Sequence, residues 1–217
     1  MNIRHLNSQR GLSLIELMIA ITLSLFIIAA MIGLFVNSKE NYRMNENMSR
    51  LQENARFAVS FLARDLRMAD YRGCVRDDRL PDEGIKGVNA ADDGSDTLTI
   101  VYQANACDAA TSKVTTTYSI QEGASGSSSL FRSIDIDGTE EEQELVEGIQ
   151  NLQILYGMDT DEDDSANFFT ATPVNWAQAM SVRITLVAET LEGNLAADGG
   201  RISRNFTSTV TLRNRLP

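Results

Sequence analysis

An uninterrupted apolar segment near the N-terminus constrains this chain more than any other feature of its sequence. Within residues 12–36 the only formal charge is Glu16. A helix over this run would be about 37 Å long at about 1.5 Å per residue, enough to cross a hydrocarbon core of about 30 Å. An ordinary secretory signal peptide has an apolar core of about 7–15 residues and a small-residue cleavage site beyond it. The sequence therefore predicts a membrane-length helix that stays on the protein.

Glu16 needs an explanation, because a carboxylate at the centre of a bilayer costs roughly 2.5–3.5 kcal/mol. One reading is structural: the side chain lies close enough to the lipid headgroups to stay hydrated. Its sequence context favours another reading. A short leader with Arg4 and Arg10 ends at Gly11, and Leu-Ser-Leu-Ile-Glu follows, with apolar sequence behind it.

This pattern resembles the class III signal of type IV pilins and type II secretion pseudopilins, usually written G followed by F-T-L-I-E. The resemblance implies that a prepilin peptidase cleaves after Gly11 and methylates the new amine of Leu12. It also implies that Glu16, the fifth residue of the mature chain, attracts the N-terminal amine of a neighbouring subunit during assembly. Leu12 and Ser13 stand where the family usually has Phe and Thr. A plain single-span anchor is the alternative, but it would not require Gly11 and Glu16 in this register.

The charge distribution around the apolar run predicts its orientation. Positive charge before the span keeps the N-terminus in the cytoplasm and sends the chain from residue 37 across the bacterial inner membrane. The prediction is therefore a single-pass protein with a periplasmic head, which later lies in a pilus on the cell surface. The chain is predicted to divide into a leader (1–11), a transmembrane and filament-core helix (12–36), the amphipathic half of the same helix (37–73) and a β-rich head (74–217).

The second half of the predicted helix is amphipathic. Apolar residues recur every three or four positions, which predicts one buried stripe. The whole helix is predicted to run from about Leu12 to Asp70, and Gly73 is the residue predicted to stop it. A bend or unwinding is predicted at Gly33. The stripe consists of Met44, Met48, Leu51, Ala55, Ala58, Leu62, Leu66 and Ala69.

The head has the alternating pattern of β-structure. Residues 75–96 are rich in turn residues and acids and are predicted to be a loop. Three strands are predicted after it, at 97–103, 113–120 and 129–134, in an antiparallel meander over the helix. A Gly/Ser turn precedes the third strand, and the acidic run Glu140-Glu141-Glu142 is predicted to be a solvated face. The predicted fold class is α+β.

Three blocks in the C-terminal half carry a second resemblance. They are V-E-G-I-x-N-L-Q-x-x-Y-G from Val146, S-V-R-I from Ser181, and F-x-S-T-V-x-L-R-N-R from Phe206. They resemble the minor pilins of the PilW type, which are related to the J-type minor pseudopilins. The resemblance implies the type IV pilin fold, a long helix packed on an antiparallel sheet.

The same resemblance implies partners and a role. The partners are other minor pilins, the major pilin, the prepilin peptidase and the inner-membrane assembly platform. The role is to prime assembly at the pilus tip, in support of pilus biogenesis, twitching motility, adhesion and DNA uptake. The nearest alternative is a minor pseudopilin that caps a type II secretion pseudopilus, and a direct DNA-binding or adhesin subunit is a further one.

Cys74 and Cys107 are the only cysteines. In an exported chain, an even pair is interpreted first as a disulfide. Two free buried thiols are the alternative. The wide spacing of the two cysteines argues against a zinc site.

Composition limits the remaining function classes. The only histidine, His5, lies in the predicted leader, so the mature chain lacks an imidazole for a triad or general base. No acid pair stands out for a glycosidase, and a membrane-anchored periplasmic enzyme is therefore disfavoured. The formal net charge is −11, and loss of Arg4 and Arg10 would make it more negative, which disfavours direct nucleic-acid binding.

One acidic stretch predicts a calcium-binding site. Asp159, Asp161 and Asp163 alternate as at the start of a calcium loop, where hard oxygen ligands surround the cation. An EF-hand would require Gly at the sixth position and Glu at the twelfth, where Asp164 and Thr170 stand. Calcium is the only cofactor predicted, and a solvated acidic loop is the alternative.

Overall fold

The structure, a computed structural model, describes five stretches of the chain, residues 13–72, 84–91, 94–104, 112–196 and 199–215. They contain one long α-helix, two antiparallel β-sheets and two short 3-10 turns. The chain divides into two compact units, Met1–Glu46 and Asn47–Pro217. The predicted α+β class, with a long N-terminal helix and antiparallel sheets, is confirmed.

Helix α1 runs from Leu14 to Leu66 and comprises 53 residues. It is α-helical through Gly33, so the predicted unwinding at that glycine is wrong, whereas the predicted bend stays a prediction. The helix also ends earlier than the predicted Asp70. The amides of Met68 and Ala69 bond to carbonyls three residues back, and Asp70 has a left-handed φ of 59°. This tightened turn ends the helix, because left-handed backbone cannot continue it. Gly73 lies outside the described residues.

The first sheet is a five-stranded antiparallel meander in the order β1-β2-β3-β4-β5. The three strands predicted from alternation are confirmed as β2, β3 and β4. The prediction of an unbroken loop over residues 75–96 is wrong at Ile85–Val88, where a short strand pairs with β2 and Ile85 is completely buried. The bounds are β1 Ile85–Val88, β2 Thr97–Ala104, β3 Ser112–Glu122, β4 Ser128–Ile136 and β5 Thr139–Glu147.

The second sheet has four antiparallel strands in the order β7-β6-β8-β9. Gly148 links it to the first sheet with a φ of 77°, and a Cβ there would lie 2.8 Å from the carbonyl oxygen of Glu189. Only glycine fits both conditions without strain. The bounds are β6 Ile149–Met158, β7 Phe168–Thr170, β8 Ala179–Glu189 and β9 Ser203–Thr211.

The core lies between the C-terminal part of α1 and the two sheets. Leu51, Ala55, Ala58, Leu62 and Leu66 are buried, which confirms the predicted stripe from Leu51 onward. The small alanines allow the helix backbone to approach the sheets closely. The stripe shares one apolar cluster with both sheets, whose largest fully buried members include Tyr118, Leu130, Tyr156, Ile184 and Leu186.

A buried ion pair joins α1 to the first sheet. The Asp65 carboxylate lies 2.8 Å from the Arg132 guanidinium on β4 and accepts a 2.7 Å hydrogen bond from the Tyr118 hydroxyl on β3. Burial raises the pKa of Tyr118, and the hydrogen bond to Asp65 raises it further. The phenol therefore stays protonated and donates throughout the physiological pH range.

The C-terminal R-N-R block closes the end of α1. The Asn214 side-chain amide donates to the carbonyls of Arg67 and Ala69, at 3.0 and 2.9 Å. Arg215 pairs with Asp70 and donates to the carbonyls of Trp176 and Ala179. The Asn214 amide thus satisfies carbonyls at the end of α1, where a helix leaves carbonyls without intrahelical partners. The last block of the sequence thus tethers the helix terminus to the second sheet.

Candidate functional site

The most unusual surface in the chain is the N-terminal part of α1. Every large apolar side chain from Leu14 to Val36 is exposed, from 47% at Val36 to 77% at Phe26. A contiguous apolar surface of this extent is rare on soluble proteins and marks contact with a membrane or with other protein. Among the described residues, α1 is the one helix long and apolar enough to cross a membrane, judged by length and composition.

The hydroxyl groups in this segment are satisfied within the helix. Thr22 donates to the carbonyl of Ile19 at 2.9 Å, and Ser24 donates to the carbonyl of Ala20 at 2.7 Å. Such local bonds allow Ser and Thr to lie in an apolar environment without unpaired polar groups. The two side chains therefore add little to the cost of placing this helix in lipid or in a packed helical core.

Glu16 differs from these hydroxyls. It lies in the first turn of α1, where the positive end of the helix dipole favours an anion. No hydrogen bond or ion pair joins its carboxylate to another described residue, and the side chain is exposed. Its charge is thus available to a cation from outside this part of the chain. The predicted role in subunit docking stays a prediction.

Four other predicted site residues lie outside the described stretches. They are Gly11 and Leu12, the predicted cleavage and methylation positions, and Cys74 and Cys107, the predicted disulfide. All four assignments stay predictions.

The acidic loop after β6 is organised around Asp159, which is buried. One carboxylate oxygen accepts hydrogen bonds from the amides of Asp161 and Glu162, at 3.2 and 2.8 Å, and the other accepts from Asp164 at 3.0 Å. Burial alone would raise the pKa of Asp159, but the amides of Glu162, Asp164 and Asp161 together hold it below its usual value. Asp159 therefore stays ionised and fixes the loop backbone, a role that the alternation of acids did not predict.

The same loop brings the three predicted calcium ligands together. Oxygen atoms of Asp159, Asp161 and Asp163 lie within 4.8 Å of one another. Asp164, at the sixth position, has a φ of 65°, the left-handed conformation for which an EF-hand uses glycine. Thr170, at the twelfth position, lies in β7 and offers no carboxylate. Calcium binding thus stays a prediction, with a ligand set smaller than that of an EF-hand.

If this loop binds calcium, the ion should raise the thermal stability of the protein, since a ligand that binds only the folded state stabilises it by about 1.4 kcal/mol at tenfold its Kd. We expect the rise to vanish in the double variant Asp161→Asn with Asp163→Asn, which leaves Asp159 to hold the turn. Asp137→Asn, in an exposed hairpin turn, is the matched control. Calorimetric titration with millimolar calcium checks the prediction, and no heat in the unsubstituted protein would refute it.

Comparison with known families agrees with these features. The sequence model of the family described as "Prokaryotic N-terminal methylation motif" matches residues 6–32. The model of the family described as "Type IV Pilus-assembly protein W" matches residues 117–201, from β3 to just before β9. No curated protein and no solved structure matches the chain. Together the two matches support a type IV pilin of the PilW type, with a prepilin methylation motif that overlaps the start of its long helix.

Proposed function

We propose that this protein is a minor pilin that helps to initiate assembly of a type IV pilus and is incorporated at its tip. A prepilin peptidase cleaves after Gly11 and methylates Leu12. The apolar half of α1 then leaves the bilayer and packs among the helices of other pilins. The partners are other minor pilins, the major pilin and the inner-membrane assembly platform.

One observation carries the proposal: an exposed apolar segment of α1, up to Val36, in which Glu16 is the only formal charge. A helix with this surface is stable either in lipid or against equally apolar helices. A carboxylate without a partner among the described residues is costly in both places, so its presence favours an external cation such as the N-terminal amine of a neighbouring subunit. The same helix therefore serves as a temporary anchor and as a permanent contact.

The predicted location follows from the same segment. Before assembly the N-terminus lies in the cytoplasm, the helix spans the inner membrane and the β-rich unit lies in the periplasm. After assembly the subunit lies in a surface pilus. Pilus biogenesis, twitching motility, adhesion and DNA uptake are the processes that such a subunit supports, and a structural role of this kind requires no catalysis by the chain itself.

A minor pseudopilin of a type II secretion system is the second candidate, because the N-terminal motif is common to both systems. Deletion of this chain separates the two candidates. Loss of surface pili with normal protein secretion supports a role in the type IV pilus. Loss of protein secretion with normal surface pili supports a role in the type II secretion pseudopilus.

Mass spectrometry of the membrane-extracted protein, from cells with and without prepilin peptidase, tests the proposal. We expect a species that begins at Leu12 and is about one methyl group heavier than the unmodified peptide. It should disappear from cells that lack the peptidase. An intact leader in both strains would refute the proposal and leave a plain single-span anchor.

A further inference from the structure

The free edge of β9 offers a row of unpaired backbone groups. β9 is the last strand of the second sheet and pairs with β8 over nine residues without a bulge. Two flanking bonds, from Leu212 N–H to the Met180 carbonyl and from Thr190 N–H to the Ile202 carbonyl, show that the even-numbered residues of β9 bond to β8. In an antiparallel pair the alternate residues point their N–H and C=O groups away. The outward residues are Ser203, Asn205, Thr207, Thr209 and Thr211.

This edge lacks the features that normally prevent strand addition. All five outward residues are exposed, and within Ser203–Thr211 the only charge is Arg204. The strand contains no proline or lysine, and no described residue bonds to the outward backbone groups. A long, regularly paired and nearly uncharged edge of this kind is a template for another strand.

The three other edge strands in the described residues differ from β9. β1 and β7 have only four and three residues, which is short for stable pairing. β5 has nine residues, but Glu140, Glu141, Glu142 and Glu144 lie along it. Closely spaced carboxylates repel an approaching acidic strand and solvate the edge. β9 is thus the long edge that is left open.

The charge around β9 specifies the incoming strand. From Gly199 to the C-terminus there are four arginines and no acid, in a chain of net charge −11. Arg201 pairs with Glu189, and Arg215 pairs with Asp70. Arg204 and Arg213 are exposed at the two ends of β9, and neither has an ion pair with a described residue. A strand with acidic side chains near its ends would complement this pair.

We propose that the β9 edge binds an extended, acidic strand of a neighbouring pilin subunit other than a second copy of this chain, by β-augmentation. The outward groups of residues 203–211 form the main-chain hydrogen bonds, and Arg204 and Arg213 select the acidic partner. The proposal rests on the proposed function as a pilin. It adds a second contact between subunits, on the β-rich unit, to the contact made by the apolar helix.

Photocross-linking in intact cells tests the proposal with the full chain. A photoreactive phenylalanine analogue at Thr209 should cross-link to an acidic, extended segment of another pilin subunit, identified by mass spectrometry. The same analogue at Glu141, an exposed position on β5, is the matched position and should give a much lower yield. Equal yields at the two positions would overturn the proposal. A cross-link from Thr209 only to a second copy of this chain, or to a protein that is not a pilin, would also overturn it.

Two variants show whether the backbone and the charges act as proposed. Thr207→Pro removes an outward N–H that the ladder with β8 does not use, so the sheet should tolerate it. It should lower the Thr209 cross-link about fivefold or more, whereas Thr207→Ala, which keeps the N–H, should not. The double variant Arg204→Glu with Arg213→Glu should lower the yield too. Unchanged yields in both the proline and the charge-reversed variants, at normal protein levels, would refute the mechanism.

Failure of this proposal differs from failure of the proposed function. If the leader is removed at Gly11 but the Thr209 position gives no cross-link, the edge proposal alone is wrong. If the leader is retained in cells with the peptidase, the pilin role is wrong, whatever the cross-links show.

Discussion

Replacing Asp65 with alanine should destabilise the β-rich unit by about 3–5 kcal/mol, because it leaves the charge of Arg132 buried without a partner. The two side chains are only 7% and 16% exposed, so water cannot replace the lost carboxylate efficiently. The substitution also removes the acceptor for the buried Tyr118 hydroxyl. Urea unfolding of the purified, detergent-solubilised protein, followed by circular dichroism, measures the loss.

Arg64→Ala is the matched control for this experiment. Arg64 contacts the same carboxylate at 3.3 Å, but its side chain is 62% exposed. An exposed ion pair contributes about 0–1 kcal/mol, so the control should unfold almost as the unsubstituted protein does. Similar losses for the two variants would mean that the buried pair with Arg132 does not hold α1 to the first sheet.

Local sequence patterns were sufficient for the long helix and for three strands of the first sheet. The apolar run behind Gly11 and the three-to-four-residue spacing from Leu51 to Leu66 predict one long helix. The spacing of apolar residues indicates both the helical period and the face that is buried. Alternation in β2, β3 and β4 likewise predicts an antiparallel meander. Each of these signals lies within a short window of sequence.

Features that depend on distant partners were not predictable. Ile85–Val88 is only four residues long and follows an acidic stretch, so its pairing with β2 has no local signal. Asp65 and Tyr118 are 53 residues apart, and Asn214 is 145 residues from Ala69. Polar contacts of this kind depend on the final packing of helix on sheet, which a hydrophobic period does not specify.

The candidate sites divide in the same way, into one with a local sequence signal and one that depends on the pairing of distant strands. The N-terminal motif predicts a site at Glu16 because charge in an apolar run is conspicuous in the sequence. In contrast, the outward edge of β9 depends on which parity of residues bonds to β8. The alternation of residues 203–211 is compatible with either parity, so only the hydrogen bonds to β8 reveal the five residues whose backbone groups are open.

Glu16→Gln should yield a protein that is processed normally but is nearly absent from pili. Glutamine keeps the size of the side chain and removes the charge that is expected to pair with the Leu12 amine of a neighbouring subunit. Loss of one partner of a desolvated ion pair costs about 3 kcal/mol or more, which corresponds to a loss of about a hundredfold in recovery. The ratio of this subunit in sheared pili to that in membranes, measured by quantitative mass spectrometry, checks the prediction.

Two further variants determine whether charge at this position is the cause. Glu16→Asp keeps the carboxylate in the first turn of α1, and it should restore a substantial part of the recovery. Glu40→Gln removes an exposed charge from the same helix beyond the apolar run, and it should have little effect, because water screens an exposed group. If Glu16→Gln entered pili as efficiently as Glu40→Gln, the carboxylate would have no role in docking. Its presence in the apolar helix would then follow from hydration at the headgroup level alone.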